Sequence, residues 1–257
     1  MGKVDMYREA LKGLSDWEGY LLAESGLPGP RGNLELAAAF AEEASSPLIW
    51  RYAALLPGAA PGSTAREFLA FCGVLGLGRF LVGGNEKAAR LLRARASDPR
   101  WRVREAVAMA LQTLGDGDMT RLQKLADDWA SGTFFEQRAA VAALCEPRLL
   151  HRKSDAQATL KILDRITTAL QRASERGEEG FRVLRKALGY GWSVAVAALP
   201  VEGKRRMEAW LEAEEPDVRW IMSENLKKNR LARLDPGWVR ACQAKLARKK
   251  GPRRPDP

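Results

Sequence analysis

One nine-residue frame recurs along this chain, and it is a helical frame. VREAVAMAL (103–111) aligns without gaps on VRWIMSENL (218–226), QRAAVAALC (137–145), LRKALGYGW (184–192) and, more weakly, WRYAALLPG (50–58). Arg51, Arg104, Arg138, Arg185 and Arg219 then share one position. Two residues later stand Ala53, Ala106, Ala140, Ala187 and Ile221. The arginines are separated by 53, 34, 47 and 34 residues, and three of these intervals suit a two-helix repeat with variable loops. The fill between them is helix-forming. Alanine runs such as AAAFAEEA (37–44) and RAAVAAL (138–144) combine the strongest helix former with a side chain small enough for close helix packing. Runs of β-branched residues long enough for a strand are scarce.

The segment SDPRWRVREAVAMALQTLGDGD (97–118) resembles the HEAT repeat, with its Asp-Pro start, Val-Arg pair, small-residue ladder and Leu-Gly-Asp exit. The expectation is an all-α fold, a right-handed superhelical solenoid of antiparallel HEAT-like helix pairs. It would form one domain over 1–246, with repeat cores near 45–58, 97–118, 129–150, 178–200 and 212–231. A basic disordered tail over 247–257 would follow. Asp98 is placed to cap a helix beginning at Pro99, and Gly115 to give its left-handed exit. Ser15-Asp16-Trp17-Glu18 reads as a capping box, and Asn33 as the cap of LELAAAFAEEA. The glycines of GLGRFLVGGNE (76–86) read as sites of close helix packing. In HEAT repeats the shared arginine commonly joins an Asp ladder between neighbours, which is the structural reading of the arginine column.

Charge supplies the next constraint. The chain carries +10 at neutral pH with a pI near 9.8, which suggests an anionic partner. From Leu226 to Pro257 there are eleven Lys and Arg against two Asp, whereas the preceding 225 residues hold 31 basic against 30 acidic side chains. Lys227, Lys228, Arg230 and Arg233 are therefore expected to contact nucleic acid. A second cluster runs through Arg90, Arg93, Arg95, Arg100, Arg102 and Arg104, and Arg100 and Arg102 join the expected contacts. So does Lys186, beside Tyr190. Trp101, Tyr190 and Trp220 are the aromatics that would face a groove, for stacking on a base or gripping a peptide.

Several chemistries find no residues to carry them. The longest apolar run, LAFCGVLGLG (69–78), is far short of the ~20 residues that span a bilayer, so no membrane insertion is expected. The N-terminus has neither a secretory pattern nor the Ser or Thr of a myristoylation signal. Cys72, Cys145 and Cys242 are scattered and odd in number, which fits a reducing cytoplasm better than a disulfide framework. With one histidine, His151, at an apparent helix end, no metal set is assembled, and no cofactor motif is present. No residue is assigned a catalytic role.

One enzyme family bears comparison. FRVLRKALGYGWSVAVA (181–197) is similar to a helix of the HEAT-like alkylpurine DNA glycosylases. That resemblance implies a concave basic face, with aromatic rings to hold a cationic base and a carboxylate to stabilise the charge developing on the sugar. No Trp is followed four residues later by Asp, but Trp101–Glu105, Trp210–Glu214 and Trp220–Glu224 have Glu at that spacing. The leading expectation is a non-enzymatic HEAT-repeat module whose concave groove binds a protein or nucleic acid, duplex DNA included. The alternative is a base-excision enzyme of the glycosylase kind.

Overall fold

A computed structural model describes residues 2–248, and among them it is all-helical, with fifteen α-helices and no strand. Of the expected tail, residues 249–257 lie outside the described residues. Ala247 and Arg248 belong to the last helix rather than to a tail. The chain divides into two compact units that meet in sequence between Asp118 and Met119.

The first unit contains α1 (Lys3–Lys12), α2 (Trp17–Ala23), α3 (Leu34–Glu43), α4 (Ser46–Ala53), α5 (Ala65–Val82), α6 (Glu86–Arg95) and α7 (Trp101–Gly117). The odd-numbered helices pack side by side in the order α1, α3, α5, α7, while α2, α4 and α6 lie against α5. Asp16 and Asn33 cap α2 and α3, accepting from the backbone N–H of Gly19 at 2.9 Å and Leu36 at 3.1 Å. Each satisfies a donor that the first helical turn leaves free. Helix α5 is apolar on all sides because it is the centre of the unit, with Phe68, Leu69, Val74 and Leu77 buried.

The second unit contains α8 (Met119–Trp129), α9 (Phe134–Leu144), a 3-10 turn (Pro147–Leu149), α10 (Lys153–Gln171), α11 (Glu179–Ala198), α12 (Pro200–Trp210), α13 (Pro216–Leu226), α14 (Asn229–Leu234) and α15 (Pro236–Arg248). Its helices form two rows. In one, α9, α11, α13 and α15 follow one another; in the other, α8, α10 and α12 do. Each even-numbered helix also packs on the odd-numbered helix that follows it. Proline opens α12, α13 and α15, where its missing N–H has no intrahelical partner to lose. Thr133 and Glu136 form a reciprocal capping box at α9. Trp192 is fully buried on α11 and donates its indole N–H to Thr167 on α10 at 3.1 Å. Asn225 of α13 is also fully buried. It accepts from the Ser193 backbone N–H at 2.7 Å and donates to the Leu188 and Ile221 carbonyls at 2.8 Å. A satisfied buried amide of this kind fixes the register of α13 on α11.

Several local expectations are corrected. Ser15 and Glu18 do not form a capping box: Asp16 is the N-cap of α2, and its carboxylate takes the Gly19 N–H. Helix α7 starts at Trp101, so Asp98 does not cap it: its carboxylate turns back to the Arg100 backbone and guanidinium instead. The helix also continues through Gly115 to Gly117. Of the glycines of 76–86, Gly76 and Gly78 pack closely against α4 and α7, whereas Gly83 and Gly84 form the turn after α5, Gly84 with φ of 79°. Gly73, outside that run, is also tightly packed. A Cβ on Gly73 would lie 2.2 Å from the Ala53 backbone nitrogen, and one on Gly78 would lie 3.1 Å from the Ala110 carbonyl. Backbone cannot yield as a flexible side chain can. Gly73→Ala should therefore cost about 3 kcal/mol in chemical denaturation, whereas Gly177→Ala, with open space around it, should stay within about 0.5 kcal/mol of wild type. Equal effects at the two positions would contradict this packing.

Candidate nucleic-acid interface

The two basic clusters of the sequence meet different fates. In the first unit, Arg95, Arg100, Arg102 and Arg104 around the α6–α7 turn point inward, whereas Arg90 of the same cluster is exposed on α6. Arg100 is buried, with 3% of its side chain exposed, and holds the equally buried Asp98 at 2.7 Å. It also donates to the Leu55 carbonyl at 2.8 Å and the Ala60 carbonyl at 2.9 Å. Arg95 donates through Nε and Nη2 to the Ala53 carbonyl. Arg104 donates to the Asp98 carbonyl at 2.8 Å. Arg102 pairs with buried Glu67 at 3.1 Å and reaches the Gly29 carbonyl at 2.7 Å. Arg100 and Arg102 thus hold the loops between α2 and α5 to the start of α7, and neither guanidinium is presented to a phosphate.

Asp98 is the hub of this cluster. Burial alone would raise its carboxyl, but hydrogen bonds and charge from Arg100, with help from Arg95, outweigh that and hold it below the usual range. Burial lowers Arg95, and Asp98 offsets part of that effect.

In the second unit, basic residues remain on the surface. Arg182, Lys186 and Tyr190 are exposed at four-residue spacing along one stripe of α11. Tyr190 is 43% exposed. Arg230, from the start of α14, donates to the Tyr190 hydroxyl and lies over its ring, 4.7 Å from the centroid. The Lys228 ammonium sits 5.9 Å from the same centroid. Lys227 is exposed and bonds Glu224, and Arg233 is exposed one turn beyond Arg230. Among the described residues no carboxylate pairs with Lys186, Lys228, Arg230 or Arg233. The patch is therefore cationic, built on an aromatic ring that aligns two of its charges.

Trp220 is half-buried next to this patch. A Cβ on Gly189 would lie 3.1 Å from its ring and 3.3 Å from Glu224 Cβ, so Gly189 admits both to the surface of α11. Arg185 stacks 3.9 Å over Trp220, and its Nε lies 2.7 Å from Asp217, close enough for an ion pair though not aligned as a hydrogen bond. This pair links α11 to α13. Arg51, Arg104 and Arg219 of the column do different work. Arg51 pairs with Glu18 at the surface, and Arg219 donates to the Leu246 carbonyl at 2.6 Å. Trp101, in the first unit, is 52% exposed and carries the Arg102 guanidinium 4.4 Å from its ring centroid.

Other reactive groups offer little chemistry. Cys72, Cys145 and Cys242 are free and buried, and burial pushes Cys145 up to about 12 and Cys242 to about 11. Neither is a thiolate nucleophile at neutral pH. His151 is exposed, in the short link between the 3-10 turn and α10. Among the described residues no group of three His, Cys, Asp or Glu could hold a metal ion, and no helix is long and apolar enough to cross a membrane. No family model, curated protein or solved structure matches the chain.

Asp98→Asn should cost about 3–5 kcal/mol, because two buried guanidinium groups lose their counter-charge. The pH dependence has a definite sign. The folded carboxyl lies below its unfolded value of about 3.9, so its contribution is present above that pH. It is lost as pH falls through the folded value. Denaturant titrations at pH 7 and pH 3 should show a smaller acid loss in the variant; an identical loss would contradict the role given to Asp98.

Proposed function

We propose that this chain is a non-enzymatic binding module of HEAT-type helical pairs, and that its second unit binds nucleic acid through the phosphate backbone. The helical pairs would stack as a right-handed solenoid. Support for the repeat comes from the alternating rows of the second unit and from the Arg185–Asp217 pair between successive odd-numbered helices.

The observation that carries the binding reading is the Tyr190 patch. Lys186, Lys228 and Arg230 keep their charge unpaired by carboxylates around one exposed ring. Three unneutralised cations within one patch suit a polyanion better than an apolar surface. Tyr190 acts as a positioning residue here. Its ring and hydroxyl hold Arg230 in place, which lowers the ordering cost of a phosphate contact. It is thus less available for stacking on a base than an uncovered aromatic would be. Lys227 contributes less, since Glu224 offsets it.

The glycosylase reading draws support from Trp101 and Glu105, which line one cavity. The arginines adjacent to them are turned inward, so the backbone grip such an enzyme needs is not built there.

Duplex DNA binding by the full chain, measured by fluorescence anisotropy across a salt series, tests the proposal. Replacing Lys228 and Arg230 by Ala should weaken binding at least tenfold. It should also reduce the slope of log K against log salt by about 2, one for each cation that no longer meets a phosphate. Binding and slope unchanged in the double variant would remove the patch from the interface and leave residues 249–257 or a protein partner as the explanation.

A further inference from the structure

The first unit holds a second candidate site, independent of the nucleic-acid reading. A cavity of about 190 Å³ lies between the 27–34 loop and the helices α3, α5 and α7. Its walls are Leu27, Leu34, Phe68, Phe71, Trp101 and Arg102. We propose that this cavity binds a small, uncharged aromatic molecule of one or two fused rings.

Three features define that ligand class. The first is size. An apolar cavity of about 150 Å³ accommodates benzene, and this one is larger and open on one side, beside the exposed Trp101. A second fused ring therefore fits.

The second feature is that the walls are already in place. Phe68 and Phe71 lie with their rings parallel to within 5°, their centroids 6.2 Å apart. The Trp101 ring is held by the Arg102 guanidinium at 4.4 Å, and Arg102 is itself fixed by Glu67 and the Gly29 carbonyl. Phe68 and Phe71 are stacked on each other and so form one fixed aromatic wall rather than two sides of a gap. Walls fixed in this way favour a rigid guest, because little is lost in ordering either partner. Aromatic rings packed on aromatic rings also gain from offset or edge contact.

The third feature is charge. The Arg102 charge is answered by Glu67, which is buried and does not line the cavity, and Arg102 Nε and Glu67 Oε1 are themselves buried without a hydrogen-bond partner. Arg31 and Glu105 complete the lining with one charge of each sign. No net charge faces the guest, so an ion would lose hydration without compensation, while a neutral ring exchanges water for carbon.

Gly32 provides a way to close the cavity without disturbing its frame. It lines the space, and a Cβ there would meet Phe68 at 3.7 Å, an ordinary contact. Leucine at this position would occupy the volume of the guest. Trp101→Ala removes the exposed wall instead, from a side chain that contributes little to the core.

The test uses 5-fluoroindole as the probe, followed by ¹⁹F NMR line broadening and shift in titrations of the full chain. Wild type should bind it saturably. Gly32→Leu should weaken binding at least tenfold with the melting temperature kept, and Trp101→Ala should weaken it several-fold. If Gly32→Leu does not fold, Trp101→Ala decides. No saturable binding by wild type, or binding that neither variant weakens, overturns the proposal. Because the DNA-binding variants lie in the other unit, failure here leaves that reading untouched, and the reverse also holds.

Discussion

A guanidinium taken out of water must find a counter-charge and several acceptors, or the structure around it fails. That requirement organises the first unit. Asp98 supplies the charge for Arg95 and Arg100, Glu67 supplies it for Arg102, and loop carbonyls from Gly29, Ala53, Leu55 and Ala60 take up the remaining hydrogens. These carbonyls belong to loops and helix ends between α2 and α5. The arginines at the start of α7 thereby serve as ties between distant segments, and the aromatic cavity beside Trp101 exists because Arg102 holds its wall.

In the second unit the same residue type is used differently. The deepest ties are made by neutral groups, Asn225 and the Trp192–Thr167 pair, while partly buried arginines such as Arg185 and Arg206 pair with Asp217 and Asp164 nearer the surface. Charge on the surface then has to be arranged rather than buried. Tyr190 does this by presenting one ring to both Lys228 and Arg230. The contrast explains how a basic chain can have one basic cluster that is structural and another that is free to meet a polyanion.

Much of the local architecture is legible in the sequence. The cap at Asn33, the small residues of α5 and the alanine-rich helices follow from short-range chemistry, which a few adjacent residues reveal. At α2 the sequence places the helix start but misses the capping residue by one, since Asp16 rather than Ser15 takes the free N–H. The all-helical class follows for the same reason. Sequence alone points Arg100 and Arg102 toward phosphate because their true partners are far away along the chain: Gly29 is 73 residues from Arg102, and Leu55 is 45 from Arg100. No local pattern announces a carbonyl acceptor at that distance. The delayed start of α7 has the same cause, since Asp98 is drawn to Arg100 rather than to a helix N-terminus. The division between units falls where α7 ends at Gly117 and α8 begins at Met119, with no Pro- or Ser-rich linker to mark it. At Tyr190 the basic neighbours are visible in the sequence, but the stacking of Arg230 on the ring depends on how α14 meets α11, a tertiary fact.

The central claim is that the cations around Tyr190 that no carboxylate pairs, and not the inward arginines of the first unit or the C-terminal residues beyond Arg248, contact nucleic acid. Lysine acetylation footprinting of the full chain, with and without bound DNA, addresses it most directly. The account predicts protection at Lys186 and Lys228, with unchanged labelling at Lys87 and Lys161. Protection confined to Lys249 and Lys250, or found at Lys87 but not at Lys186 and Lys228, would contradict it.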